Sequence, residues 1–305
     1  MASVRALHDD RYGYPGVFNL ARCPGCGHQR LLSSLDEKAI ADLYTRYYPR
    51  KSLDPGAWKP HRETRGPRAW WRGDGASAFR LVPRGVRVLD IGCGWGESLG
   101  FYMNRGCQAE GVETDSNAAI VAERHGLKIR IGLFRADDYP EASFDWAVLD
   151  QVLEHMGDPR STLSQVVTVL RPGGHLALAL PNGASIWKRI FGERWIHWHA
   201  PYHLHFFTAR SLNRMANECG LTIERRRTTS PSDWLFYQWV HLFSFPPERQ
   251  PSAFWGKGTP GPSYRWIIRL GRLLRAVGAF HFLTRLADGL GIGDNAVYVL
   301  TKRPA

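Results

Sequence analysis

Acidic residues are scarce beside basic ones: 28 Asp and Glu face 40 Lys and Arg, for a net charge of +12 and a pI near 9.8. A surface of that sign favours anionic company, whether nucleic acid, anionic lipid headgroups or a phosphorylated substrate. Cysteine is sparse too. Five in 305 residues, odd in number and irregular in spacing, argue against a disulfide framework and fit reduced thiols. Long apolar runs are missing as well: the nearest approach to the roughly 18 residues that span a bilayer, around Trp234 to Phe245, stops at Pro246-Pro247. The start of the chain lacks the charged, apolar and small-residue order of a signal peptide, so a cytoplasmic protein, not integral to a membrane, is expected.

The hydrophobic fraction of 44% is ordinary, and 305 residues suffice for one large α/β domain with additions. Residues 1–74, rich in aromatics, Arg and Pro, read as an N-terminal appendage with a helix from Asp36 to Tyr48. From there to residue 231, short β-branched runs alternate with amphipathic stretches, the signature of βαβ units and a doubly wound, mostly parallel sheet. Strands are expected at Arg87 to Ile91, Gln108 to Glu113, Ile129 to Ile131, Trp146 to Leu149, His175 to Leu180 and Leu221 to Arg226. Residues 232–290 read as a helical insertion or lid, and 291–305 as the closing strand, at Ala296 to Thr301.

The most informative turn is Asp90-Ile91-Gly92-Cys93-Gly94-Trp95-Gly96, directly after the first core strand. Glycines there let the backbone pass close to a ligand, and the following helix aims its first NH groups at a negative group. Glu113, about 20 residues on at the end of the second strand, suits a ribose diol. A dinucleotide fingerprint counted from Gly92 would require glycine where Glu97 stands, so a nicotinamide oxidoreductase is the weaker alternative. A non-catalytic scaffold is the other.

With these residues the sequence resembles the class I S-adenosylmethionine-dependent methyltransferases, in the broad group of ubiquinone-biosynthesis-type and sugar-modifying enzymes. Val88 to Gly94 looks like the family's first motif, Gly111-Val112-Glu113 like its ribose motif and Ser143-Phe144-Asp145 like the start of its fourth strand. Val152-Leu153-Glu154-His155 and Leu170-Arg171-Pro172-Gly173-Gly174 follow in register. The resemblance implies a Rossmann-like fold and S-adenosyl-L-methionine as cofactor. Asp90 would meet its amino group, Gly92, Cys93 and Gly94 its methionine end, Glu113 the ribose, Leu133 the adenine, and Gln151 would face the methionine. The motifs of base-methylating enzymes are missing, since Asp150-Gln151-Val152-Leu153 stands where adenine amino-methyltransferases carry Asn/Asp-Pro-Pro-Tyr, and nucleic acid is an unlikely acceptor.

The stretch Trp187 to Phe207 is dense in aromatics and histidine and would pass over the carboxyl ends of the strands, where ligands bind. Transfer to a hydroxyl needs a base, for which His155, His199 and His203 are the candidates. Each singly reads more readily as a structural histidine. Cys23-Pro24-Gly25-Cys26 has the turn of a zinc knuckle but no second cysteine pair, so Cys23 and Cys26 would be ligands only if a histidine completed the set, and a metal-free loop is preferred. In the insertion, Ile267, Leu270, Leu274 and Val277 form one apolar stripe, with Arg265, Arg269 and Arg272 on another face, as in a basic amphipathic helix. A solvated lid is the default reading of that helix, and contact with a membrane surface through Trp255, Trp266 and Phe280 the alternative. The expected activity is methylation of a small molecule, on a hydroxyl of a saccharide, lipid-linked intermediate or secondary metabolite.

Overall fold

The computed structural model describes residues 2–32, 43–47, 56–262 and 264–304. The expected Asp36 to Tyr48 helix lies outside the described residues except for Leu43–Tyr47, a π-helical turn.

Seven strands form the main sheet: β4 (Arg87–Ile91), β5 (Gln108–Glu113), β6 (Ile129–Ile131), β7 (Phe144–Asp150), β8 (Leu170–Pro181), β10 (Leu221–Thr228) and β11 (Asn295–Lys302). Their order is β10-β11-β8-β7-β4-β5-β6, parallel from β8 to β6 and antiparallel where β11 joins β8 and β10. Alternation within each strand feeds two cores. Leu89, Ile91, Leu149, Leu178 and Tyr298 pack on one face, and Val88, Val148, Ala177 and Val297 on the other, as required of a sheet covered by helices on both sides. Reversal of strand order at β4 opens a crevice at the carboxyl ends of β4 and β7, where ligands bind in such sheets.

Local chemistry sets the helix limits. Asp158 caps the Pro159–Val169 helix by accepting the Arg160 and Ser161 amides at 3.0 Å each, and Pro159 occupies the first turn, where no amide donor is needed. Thr208 and Ser211 form a reciprocal capping box on Ala209–Glu218.

A second sheet is absent from the sequence-based reading. β1 (Ala2–His8), β2 (Val17–Arg22) and β3 (Gln29–Leu31) form an antiparallel sheet completed by β9 (His205–Phe206), which follows β8 in the chain. Its core takes Leu20 and Leu31 together with Trp195, Trp198, Tyr202 and Phe206. The aromatics of the 187–207 stretch are therefore largely a hydrophobic core and not a surface offered to a ligand.

The insertion between β10 and β11 contains the helices Asp233–Ser244, Tyr264–Ala276 and Ala279–Gly289, packed on one another. The inward seam of the middle helix is Tyr264, Ile268, Gly271 and Leu274, so Leu274 of the apolar stripe faces the core while Leu270 and Val277 are exposed. A side chain at Gly271 would meet the Trp239 ring at 2.8 Å, and that close approach sets the phase. Of the three aromatics expected at an interface, Phe280 is buried and Trp255 lies under the Arg11 guanidinium, 4.3 Å from its ring centre; Trp266 alone points outward. No helix among the described residues is long and apolar enough to cross a membrane.

Candidate functional site

The glycine turn leaves β4 with Gly92 at φ +74° and Gly94 at φ +56°, both in the left-handed region that glycine adopts without strain. They serve different needs. A Cβ on Gly92 would lie 2.5 Å from Val152 Cγ2, whereas one on Gly94 would meet no atom of the described residues within 4 Å, so Gly94 keeps its backbone open to whatever approaches the loop. Glu113, at the end of β5, accepts the Gly94 amide on Oε2 at 2.9 Å and the Thr114 and Asp115 amides on Oε1 at 2.7 and 3.0 Å. One carboxylate thus ties the first turn to the second. Trp58 donates from Nε1 to the Trp95 carbonyl at 2.9 Å and packs on His125, bracing the loop from behind.

Asp90 faces into the fold, where it accepts the Tyr102 hydroxyl at 3.1 Å, and burial, opposed by bonds from Ser98 and Tyr102, raises its pKa to about 6. Burial, helped by the charge of Asp90, carries Asp150 on the neighbouring strand up to about 7. Burial is the leading cause for both carboxyls, so neither ionises as it would in water. Cys93 is buried beside Gly111, and burial pushes its thiol up. Gln151 takes a positive φ of +58° and donates from Nε2 to Asn295 Oδ1 at 2.9 Å. Leu133, past β6, is 72% exposed. Asp90, Gly92, Cys93, Gly94 and Glu113 therefore gather at the ends of β4 and β5, with Gln151 one strand away and Leu133 on the outer side.

A second grouping follows β7. Glu154 is 1% exposed, and among the described residues neither carboxylate oxygen has a hydrogen-bond partner. One of its oxygens lies within 4.8 Å of a ring nitrogen of His155 and of His203. Both imidazoles are held from behind: His155 Nδ1 lies 2.8 Å from the Tyr202 carbonyl and His203 Nδ1 2.9 Å from that of His197. A carbonyl can only accept, so each Nδ1 carries the proton and each Nε2 a lone pair. Burial drives both histidines toward the neutral form, His203 well below the usual value, and burial raises Glu154 to about 8. Two neutral imidazoles grouped with a carboxyl can take a proton from an approaching hydroxyl, or hold a transition-metal ion, whose ligating histidines typically donate their other nitrogen to such a carbonyl.

His199 stands beside them, stacked on Tyr202 and 5.0 Å from the His203 ring, at a φ of +39°. Burial, then the nearby Arg11 charge, hold its pKa well below the usual value. Glu154 had no assigned role in the sequence, although the adjacency Glu154-His155 was visible; its burial arises only when the 195–204 loop closes over it, with Leu204 N donating to Glu154 O at 2.8 Å. Cys23 and Cys26 form a tight hairpin, Gly27 N bonding Cys23 O at 2.9 Å, and His28 turns away from them to His205, 3.1 Å distant. Among the described residues no third ligating side chain joins the two thiols.

A family profile described as "Methyltransferase domain" matches residues 25–225. The chain belongs to this methyltransferase family. It is similar to the ubiquinone biosynthesis O-methyltransferase of Thiobacillus denitrificans, 29% identical over 210 residues (63% of this chain, 86% of the relative). The Aeromonas salmonicida enzyme of the same name is 26% identical over 181 residues, 55% and 74% of the two chains. Among solved structures, an S-adenosylmethionine-dependent methyltransferase from Mesorhizobium loti aligns with TM-score 0.47 and 16% identity over 73% of this chain and 95% of that one. As a methyltransferase the chain uses S-adenosylmethionine and acts on a small molecule, as its class I resemblance implied. Residues 1–24 and 226–305, which hold most of the second sheet and the whole helical insertion, lie outside the family match.

Proposed function

We propose that the chain transfers the methyl group of S-adenosylmethionine to a hydroxyl oxygen of a small acceptor of the saccharide, lipid-linked or secondary-metabolite kind. The observation that carries this reading is the buried Glu154 carboxyl, without a hydrogen-bond partner among the described residues, grouped with two imidazoles that backbone carbonyls hold through Nδ1. The bound cofactor supplies an electrophilic methyl group on a sulfonium. The opening at Gly94 and the Glu113 carboxylate fit such a ligand, with Asp90, Gly92, Cys93, Gln151 and Leu133 completing its surroundings. Glu113 would accept the ribose hydroxyls while holding the Gly94 amide in place.

The acceptor hydroxyl is poorly nucleophilic until its proton leaves. His155 or His203 takes that proton on Nε2, the backbone carbonyl behind each ring holding the tautomer in which that nitrogen is free. His199 packs the cluster from the Tyr202 side. The O-methyltransferase names of the relatives support oxygen as the acceptor atom. Incubating the chain with methyl-labelled cofactor and a panel of hydroxylated saccharides, lipid-linked sugars and phenols, then locating the label by NMR, tests the reading. A methyl ether is expected, and label on nitrogen or carbon contradicts it.

A further inference from the structure

The helical insertion turns an apolar face outward. Trp266, Leu270, Leu273 and Val277 follow one another at intervals of four, three and four residues, which puts them on one stripe of the Tyr264–Ala276 helix and the turn that ends it. All four are exposed, Trp266 at 71% and Val277 at 68%. Beyond Gly278 the pattern resumes with Phe282, Leu286 and Leu290, also exposed. The opposite seam of the middle helix is already filled by its packing on Trp239 and Phe236, so the outward stripe is a second apolar face and not a displaced core. Water-facing helix surfaces are ordinarily polar, and apolar surface of this extent marks an interaction site.

Charge decides the partner. Arg265, Arg269 and Arg272 are exposed beside the stripe, and the Arg269 guanidinium lies 5.3 Å from the Trp266 ring centre. From Tyr264 to Leu290 the one acidic residue is Asp288, which bonds Ser230 and Arg285 inside the fold. A second copy of the chain, meeting the same face about a two-fold axis, would set arginine against arginine. An anionic lipid surface accommodates both halves of the pattern, taking Trp and Leu into the headgroup boundary and guanidinium groups onto phosphates. The net charge of +12 acts in the same direction.

We infer that this face docks the protein on an anionic lipid membrane, with Trp266, Leu270, Leu273 and Val277 entering the interface and Arg265, Arg269 and Arg272 on its phosphates. The inference is independent of the identity of the methyl acceptor. Its test is sedimentation of the full chain with vesicles of phosphatidylglycerol and phosphatidylcholine, and with vesicles of phosphatidylcholine alone. Binding to the mixed vesicles that weakens with salt is expected. The double variant Leu270→Ser, Leu273→Ser and the triple variant Arg265→Ala, Arg269→Ala, Arg272→Ala should each lower partitioning by at least about tenfold, with unchanged melting temperature. No partitioning to mixed vesicles, or partitioning equal in the variants, overturns the inference. So does a dimer in light scattering that the leucine variant converts to monomer, since the face would then be an interface between copies.

Discussion

The rings of His155 and His203 stand 4.7 Å apart and nearly perpendicular, each anchored through Nδ1 to a carbonyl, so their free nitrogens are directed by the backbone and not by chance rotamers. If one is the base, His155→Ala or His203→Ala should cut turnover by roughly a hundredfold to ten-thousandfold while cofactor affinity holds. His199→Ala, removing a packing neighbour, should act mainly on stability. Melting temperature, cofactor affinity and turnover on the three variants separate these roles; near-wild-type turnover in all three, corrected for folded fraction, would refute a histidine base.

Glu154 predicts a pH dependence of stability. An unfolded glutamate releases its proton near 4.5, and folded Glu154 near about 8, because burial disfavours its charge. Between those values the folded chain holds a proton that the unfolded chain lacks, so this contribution favours folding in acid and is lost as pH rises through the folded pKa. In chelator-treated protein, the melting temperature of Glu154→Gln relative to wild type should climb over that window and level off above it. A difference that does not vary with pH would mean that Glu154 is not held protonated.

The same cluster is the one grouping of three ligating side chains among the described residues. If chelated protein takes up a divalent transition metal, at the expense of the histidine base, that uptake should be abolished in Glu154→Ala, His203→Ala and retained in Cys23→Ser, Cys26→Ser. Elemental analysis of untagged protein after zinc loading checks this, and the opposite pattern would assign the metal to the cysteine hairpin.

Gly92 and Gly94 should fail in different ways. Both substitutions add about 1 to 2 kcal/mol of left-handed backbone strain, and Gly92→Ala also forces a Cβ against Val152, so it should lower the melting temperature more than Gly94→Ala. Gly94→Ala should in addition weaken cofactor affinity. Equal melting temperatures with equal affinities would show that neither glycine acts as described.

Much of the fold was legible because the main sheet depends on local pattern: β4, β5 and β6 begin and end where apolar alternation and the glycine turns place them. The second sheet was not, because β3 finds its partner in His205–Phe206, and no local signal links residues that far apart. The phase of the Tyr264–Ala276 helix depended on Gly271 meeting Trp239, a contact between helices. In the candidate site, the glycine turn and the Glu113 carboxylate stand at the strand ends where their spacing puts them. Glu154 was passed over because a carboxyl next to a histidine reads as surface until the loop that buries it is in place.

The most direct measurement is calorimetry of S-adenosylmethionine and its demethylated product with wild-type protein and Glu113→Ala. Glu113 holds the Gly94 amide at 2.9 Å and is assigned the ribose, so wild type should bind both ligands and the variant should lose about 1.5 to 3 kcal/mol, the scale of a hydrogen bond to a charged group. Unchanged affinity in Glu113→Ala would contradict the ribose assignment, and binding of a dinucleotide in place of S-adenosylmethionine would contradict the cofactor site itself.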